Sequence, residues 1–377
     1  MLRTAVAELG QRLEDVTFAV DPTIGSYQKR GKLGLRQIVP PRWWMGSRRF
    51  RYGLTAQRIL GPLLKRYPLE KILDIYGGVP LSKIDALVDV SGFAFTDQWG
   101  TAPIRDFIRL AKAYKKKELP VVMLPQGFGP FKEPESREAM ATLTETVDRI
   151  YARDDVSLRH LRSVSASTGH ITTAPDITLF YPDTIQSIRP AEDAAYSCII
   201  PNVRMLDQGK GKWGERYESL LARIGDALES KGERACLLIH DTSGKDVDIA
   251  KRVRSLMNTN IEIVQRDDPI ALKEFISRSK LVVTSRYHGA VASFASGVPS
   301  ICFGWSHKYE MLYNYFDLSS HFFGYEEETK NIVKRAIEMT NTEVNNCVRS
   351  NIVDKIGKTK SKNDSMWRKV VSILSKV

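Results

Sequence analysis

Three groups able to carry positive charge fall close together in residues 284–312, TSRYHGAVASFASGVPSICFGWSHKYEML: Arg286, His288 and Lys308. The apolar run before them, Leu281, Val282 and Val283, reads as a buried strand, and the alanine-rich stretch after them reads as a helix ended by Gly297 just ahead of Pro299. A helix start exposes unpaired backbone N–H groups and the positive end of the helix dipole, so it attracts anions. Arg286 adds a planar fork matched to carboxylate or phosphate, and His288 can donate to a phosphate or pass a proton. Lys308 repeats the design at the next strand-to-helix junction as a point cation. A lysine early in a helix opposes the dipole, which calls for an anionic partner, either a ligand or Glu310. The competing reading is structural, with Arg286 and His288 capping the loop and pairing with a neighbouring acid.

Other polar groups fall where further strands should end. The stretch from Cys198 to Arg204 runs a strand into a loop bearing Asn202 and Arg204. The stretch from Leu124 to Pro130 ends in a loop holding Gln126 and two glycines, where the backbone at Gly127 can approach a ligand closely. Arg153 and Asp176 occupy comparable positions. Ligands of parallel α/β sheets bind outside the carboxyl ends of the strands, so shared placement carries more weight than any one of these residues.

The elements that must position them follow from periodicity. Short β-branched runs alternate with longer amphipathic stretches, the pattern of βα units around parallel sheets. Strands are expected over 17–20, 86–90, 121–124 and 149–152, with helices over 105–116, 135–148 and 155–162. After a connector at 180–195, strands are expected over 198–201, 235–240, 261–264, 281–284 and 300–303, and helices over 216–231, 246–257, 269–277 and 289–296. The expected fold class is α/β, with two Rossmann-like doubly wound domains facing a cleft: residues 1–185 and residues 196–340. A basic tail, 341–377, would follow, with a flexible or turn segment at 355–363 and a short amphipathic helix over 365–375.

Composition narrows the function classes. At 377 residues, with 42% hydrophobic and 27% charged, the chain has the profile of a soluble two-domain protein. No apolar run reaches the roughly 18 residues of a membrane span, and the opening MLRTAVAELGQRL does not read as a signal peptide, so a cytoplasmic location is expected. The four cysteines lack CxxC spacing and the six histidines form no HExxH pattern, so neither a metal nor another cofactor is expected.

Taken in order, LPQGFGP (124–130), ARDDVSLRHL (152–161), APD (174–176), NVR (202–204), SRYHGAVASFASGVP (285–299) and HKYEML (307–312) resemble the polysaccharide pyruvyl transferase family over roughly residues 85–315. The resemblance implies a GT-B-like fold and transfer of a pyruvyl group from phosphoenolpyruvate, as co-substrate, onto two hydroxyls of a polysaccharide or lipid-linked sugar. A cyclic ketal forms and phosphate is released. Arg204, Arg286 and Lys308 would hold the trianion, with Asn202, Gln126 and Gly127 also contacting substrate. His288 would protonate the methylene carbon or the departing phosphate, two roles that sequence leaves open. Arg153 and Asp176 match positions shared by the family at the cleft edge, with Asp176 as a base or as a partner of Arg153. Family members usually open with a strand and an N-x-G-D glycine loop, whereas this chain opens on what reads as the following helix. Asp97 is the candidate to replace the loop aspartate. Two alternatives remain: a nucleotide-sugar glycosyltransferase of the same architecture, for which Glu310 is a poor ribose ligand, and a non-catalytic anion-binding relative.

The net charge of +12 is concentrated. Residues 22–69 hold eleven Lys or Arg and no Asp or Glu, with Trp43, Trp44, Phe50 and Tyr52 interleaved, and residues 349–376 hold eight cations against Asp354 and Asp364. A basic aromatic segment fits docking on anionic lipid near a lipid-carried acceptor, or gripping an acidic saccharide; nucleic acid is not expected, since no recognised binding motif accompanies the charge. Flotation should show the protein rising with anionic vesicles and staying behind with neutral ones. Equal behaviour with both would remove the lipid reading.

Overall fold

The computed structural model describes residues 1–21, 23–39, 75–180, 196–207, 213–241, 244–304 and 307–376. Contacts divide the chain into two compact units, Met1–Ala174 with Ser365–Val377, and Pro175–Asp364. Most of the basic aromatic segment and nearly all of the expected connector at 180–195 lie outside the described residues.

The first unit has two parallel sheets. One joins β1 (Ala19–Val20), β2 (Arg36–Val39) and β3 (Gly78–Pro80) in that order. The other joins β4 (Leu87–Asp89), β5 (Val121–Gln126), β6 (Arg149–Ala152) and β7 (Ile171–Thr173) in that order. Every residue of β5 is buried, which suits a near-continuous apolar run covered on both faces. Helix Ala102–Lys115 starts with Pro at its first turn and buries Ile104, Ile108, Ala111 and Tyr114, a stripe of three- and four-residue steps. Each such fully buried aliphatic side chain contributes about 1.5–3 kcal/mol relative to exposure. The loop after β5 is fixed by shape: Gly129 has φ +74°, and His160 side-chain atoms lie 2.5–2.8 Å from where a Cβ would stand. No larger residue fits there.

The second unit is one parallel sheet of β8 (Tyr196–Ile200), β9 (Ala235–Ile239), β10 (Glu262–Gln265), β11 (Ser279–Thr284), β12 (Ser300–Phe303) and β13 (Phe322–Phe323). Its order is β10-β9-β8-β11-β12-β13. The chain winds outward one way from β8 and the other way from β11, the doubly wound arrangement whose switch point lies between those two strands. Val283 and Thr284 pair with Ile199 and Ile200, so the two strands end flush. Helices Gly214–Ser230, Lys245–Ser255, Pro269–Ser277, Tyr287–Ala295 and His307–Tyr315 accompany them. Tyr217, Leu220, Leu221, Ile224 and Leu228 seat the first of these on a core shared with Ile199, Leu237 and Val283.

One expectation is overturned. Residues 355–363 are neither flexible nor a turn, because Thr342–Leu374 is one continuous helix. Ile352, Thr359, Asn363, Trp367 and Val370 form a buried stripe along it, and Tyr315 Oη and Thr359 Oγ1 lie 2.7 Å apart. Two members of that stripe are polar, which hid its helical period among the lysines. Strands β2, β3, β7 and β13 and helix Thr329–Glu338 were not expected from the sequence. Among the described residues no helix is long and apolar enough to cross a membrane.

Candidate functional site

At the switch point of the second unit, Ser285 ties four elements together. Its carbonyl accepts from Asn202 Nδ2 at 2.7 Å, just past β8, and from Tyr309 Oη at 3.1 Å, on helix His307–Tyr315. Its hydroxyl pairs with that of Tyr217, which also accepts the Asn202 backbone N–H at 3.0 Å. Burial raises the pKa of Tyr217, so the phenol stays a neutral hydrogen-bonding group. Asn202 is itself buried and accepts the Arg204 backbone N–H at 3.0 Å, which sets the start of the loop helix. The sequence placed Asn202 against substrate; its side chain engages both strand-end loops.

Arg286 caps helix Tyr287–Ala295, and its guanidinium is gripped by two acids. Asp241, just past β9, lies 3.2 Å from Nη2, and Asp246, fully buried in the first turn of helix Lys245–Ser255, pairs with the same nitrogen. Asp246 also accepts the Val203 backbone N–H at 3.2 Å. The pairing reading of Arg286 is therefore realised, and it coexists with a partly exposed guanidinium whose Nε meets no acceptor among the described residues. Breaking such a buried pair by removing one partner costs about 3–5 kcal/mol, because the other charge is left stranded.

Around this clamp stand further ionisable groups. His240 directly follows β9, its pKa lowered to about 4 by burial first and then by Arg286 and Lys273, against the opposing pull of Asp241. Lys273 is half-buried and lowered to about 7 by burial, with Asp176 opposing. Its Nζ reaches Thr178 O at 3.4 Å. Asp176 is buried and accepts the Thr178 N–H at 2.9 Å and hydroxyl at 2.6 Å, capping the turn Ile177–Leu179. The Lys308 ammonium lies 5.6 Å from the Tyr287 ring centre and 5.4 Å from that of Tyr309. Tyr287 in turn meets the exposed His288 edge-on at 5.5 Å. Arg204 is exposed and pairs with exposed Asp207 at 2.8 Å, a surface pair worth at most about 1 kcal/mol and readily exchanged for a ligand.

Arg204, Asn202, Arg286, His288 and Lys308 thus share one neighbourhood, with Asp176 linked to it through Lys273. The other three expected residues lie in the first unit. Gln126 is buried at the end of β5 and donates to Asp89, which also accepts from Ser91. Gly127 packs beneath Phe93 and Arg153, where a Cβ would come within 2.7 Å of the ring and 3.1 Å of the guanidinium. Arg153 donates its backbone N–H to Gln126 O at 2.9 Å. Asp97 is not placed as a loop aspartate: it accepts Lys132 N–H and Ser136 Oγ, both at 2.6 Å, and so anchors the start of helix Pro134–Thr146. Asp89 is the buried acid at a strand end. Sequence reasoning missed it, along with Asp241, Asp246, His240, Lys273, Tyr217 and Tyr309. The His-Asp pair closing the run 235–239 was a usable signal; Lys273, inside a helix, gave none. Among the described residues no group of His, Cys, Asp or Glu could hold a metal ion.

The sequence model of the family described as polysaccharide pyruvyl transferase matches residues 12–307. No curated protein sequence matches the chain. Among solved structures, the chain is similar to a candidate UDP-N-acetylglucosamine 2-epimerase from Listeria monocytogenes (12% identity, TM-score 0.56, covering 93% of this chain and 87% of that one). It is also similar to the UDP-GlcNAc 2-epimerase of Methanocaldococcus jannaschii in complex with UDP-GlcNAc and UDP (13% identity, TM-score 0.51, covering 90% and 89%). At such identities the likeness concerns the fold, which is α/β and GT-B-like.

His240 gives a pH signature. Its folded pKa lies below the ordinary value of 6.5, so between pH 6.5 and about 4 the unfolded chain binds a proton that the folded one refuses. Stability should fall across that window, by at most about 3 kcal/mol from this group. His321, lowered likewise to about 4 by burial, adds to the slope. Urea melts from pH 7 to 4 should show a shallower loss for His240→Asn than for the parent; equal slopes would contradict the assignment.

Proposed function

The chain belongs to the polysaccharide pyruvyl transferase family, and on that premise we propose that it moves a pyruvyl group from phosphoenolpyruvate to two hydroxyls of a saccharide, releasing phosphate. The observation that supports this most is the placing of Arg204 just past β8, Arg286 and His288 just past β11, and Lys308 at the helix after β12, on neighbouring strand ends around the switch point. A trianionic ligand needs several cations around a small volume, together with helix starts that offer free N–H groups. Helices Tyr287–Ala295 and His307–Tyr315 both begin there.

In the proposed reaction, protonation of the methylene carbon makes C2 electrophilic and a first sugar hydroxyl adds to it. The second hydroxyl then bonds to C2 as the C2–O bond to phosphate breaks. Of the two hydroxyl protons lost, the balance requires one for the new methyl group, and the other leaves with phosphate or solvent. His288, exposed beside Tyr287, is the acid in this scheme. Arg286 is the fixed anion contact, since its clamp holds the fork in place before ligand arrives, and Lys308 and Arg204 are the adaptable ones. Lys273, near neutrality by its lowered pKa, and Asp176 are suited to receiving a hydroxyl proton.

The test is phosphate release from phosphoenolpyruvate with a panel of hexose and N-acetylhexosamine glycosides, with UDP-sugars as the control donor. His288→Ala should lower turnover by roughly 100-fold or more while leaving the melting temperature unchanged, because the side chain is exposed. Parental turnover in that variant removes His288 from the mechanism. Transfer from UDP-sugars with none from phosphoenolpyruvate overturns the reading as a whole.

A further inference from the structure

Arg286 is held by two acids of different kinds, and both take the same nitrogen, Nη2. Asp246 is built in: its side chain is fully buried in the first turn of helix Lys245–Ser255, and its other oxygen accepts the Val203 N–H. Asp241 is held less deeply. It stands just past β9, its side chain is 35% exposed, and it accepts from Nη2 at 3.2 Å. A carboxylate that already reaches the surface can turn into water and recover its hydration, whereas Asp246 cannot leave without stranding a backbone donor and a buried charge.

Charge decides what the second acid does. Asp246 alone balances the guanidinium, so Asp241 leaves the three groups with an excess of negative charge. The neutral His240 beside it offsets nothing. Asp241 therefore opposes any anion that approaches the fork, while the fork already has a partner that holds it. Because β9 lies next to β8 in the sheet and runs parallel to it, the acid sits at the same end of the sheet as Asn202 and Arg204.

We propose that Asp241 is a place-holding anion: it occupies on Arg286 the position that a carboxylate or phosphate oxygen of the ligand takes, yields it as the ligand enters and takes it back as the product leaves. Nη2 then has an acceptor at every stage, and Asp246 keeps the fork in place throughout. The exchange also helps the site to release phosphate, since the returning carboxylate replaces the contact that the departing anion gives up. The inference rests on the reading of the switch point as an anion site and goes beyond it by assigning the group that governs exchange there.

The experiment titrates inorganic phosphate into the parent, Asp241→Asn, Asp241→Glu and Asp246→Asn by calorimetry. Asp241→Asn keeps the shape and an acceptor oxygen for Nη2 and removes only the charge, so phosphate should bind about tenfold more tightly. Asp246→Asn should bind it more weakly, because that change loosens the fork. An acid that merely positioned Arg286 would give weaker binding in both. Asp241→Glu, which restores the charge, should return affinity toward the parental value. Where phosphoenolpyruvate is turned over, Asp241→Asn should lower KM and kcat together, because product leaves more slowly. Phosphate binding is read without turnover, so a chain inactive on phosphoenolpyruvate would overturn the proposed reaction and leave this test standing. Phosphate affinity that falls or stays unchanged in Asp241→Asn overturns the place-holding role, as does failure of the parent and Asp241→Asn alike to bind phosphate.

Discussion

The ion pair between Arg286 and the buried carboxylate of Asp246 is the constraint on which the second unit's strand ends depend. A buried guanidinium and carboxylate recover their lost hydration only in good geometry with their remaining hydrogen-bonding capacity used. Asp246 meets part of that condition by also accepting the Val203 N–H, and Asp241 gives the guanidinium a second carboxylate, while Arg286 Nε has no acceptor among the described residues. One side chain thereby fixes the loop after β8, the start of helix Lys245–Ser255 and the start of helix Tyr287–Ala295. The Ser285 hydrogen bonds to Asn202, Tyr217 and Tyr309 add a fourth element to the same knot.

Preorganisation of this kind has an electrostatic consequence. Two carboxylates against one guanidinium leave the clamp slightly negative, so attraction for an anion must come from the cations around it. Lys308 rides on the faces of Tyr287 and Tyr309, Arg204 pairs with the exposed Asp207, and His240 is neutral at physiological pH. A rigid fork surrounded by movable cations suits a ligand that enters and leaves with different charge, as phosphoenolpyruvate and phosphate would.

The sequence made the second unit more legible than the first. Its strands are short apolar runs and its helices carry clear stripes, so their existence followed from period, with ends displaced by at most two residues. The chemistry-bearing residues were legible because they sit one to four positions past a strand, as Asn202, Arg204, Arg286 and His288 do. Their partners were not, since Asp246 and Lys273 look like ordinary helix residues until the sheet order brings them in. The long C-terminal helix was misread because a buried stripe built partly from Thr359 and Asn363 has no hydrophobic period to read. In the first unit, the three-residue strands β3 and β7 are too short for alternation to show.

The central claim is that the switch point of the second unit is a phosphoenolpyruvate site, and crystals soaked with phosphoenolpyruvate or an unreactive analogue test it most directly. The account predicts density against Arg286, with its carboxylate or phosphate reaching Arg204 and Lys308 and its methylene facing His288, while Asp246 keeps its hold on the guanidinium. Density elsewhere, or a site that stays empty at saturating ligand, would contradict it.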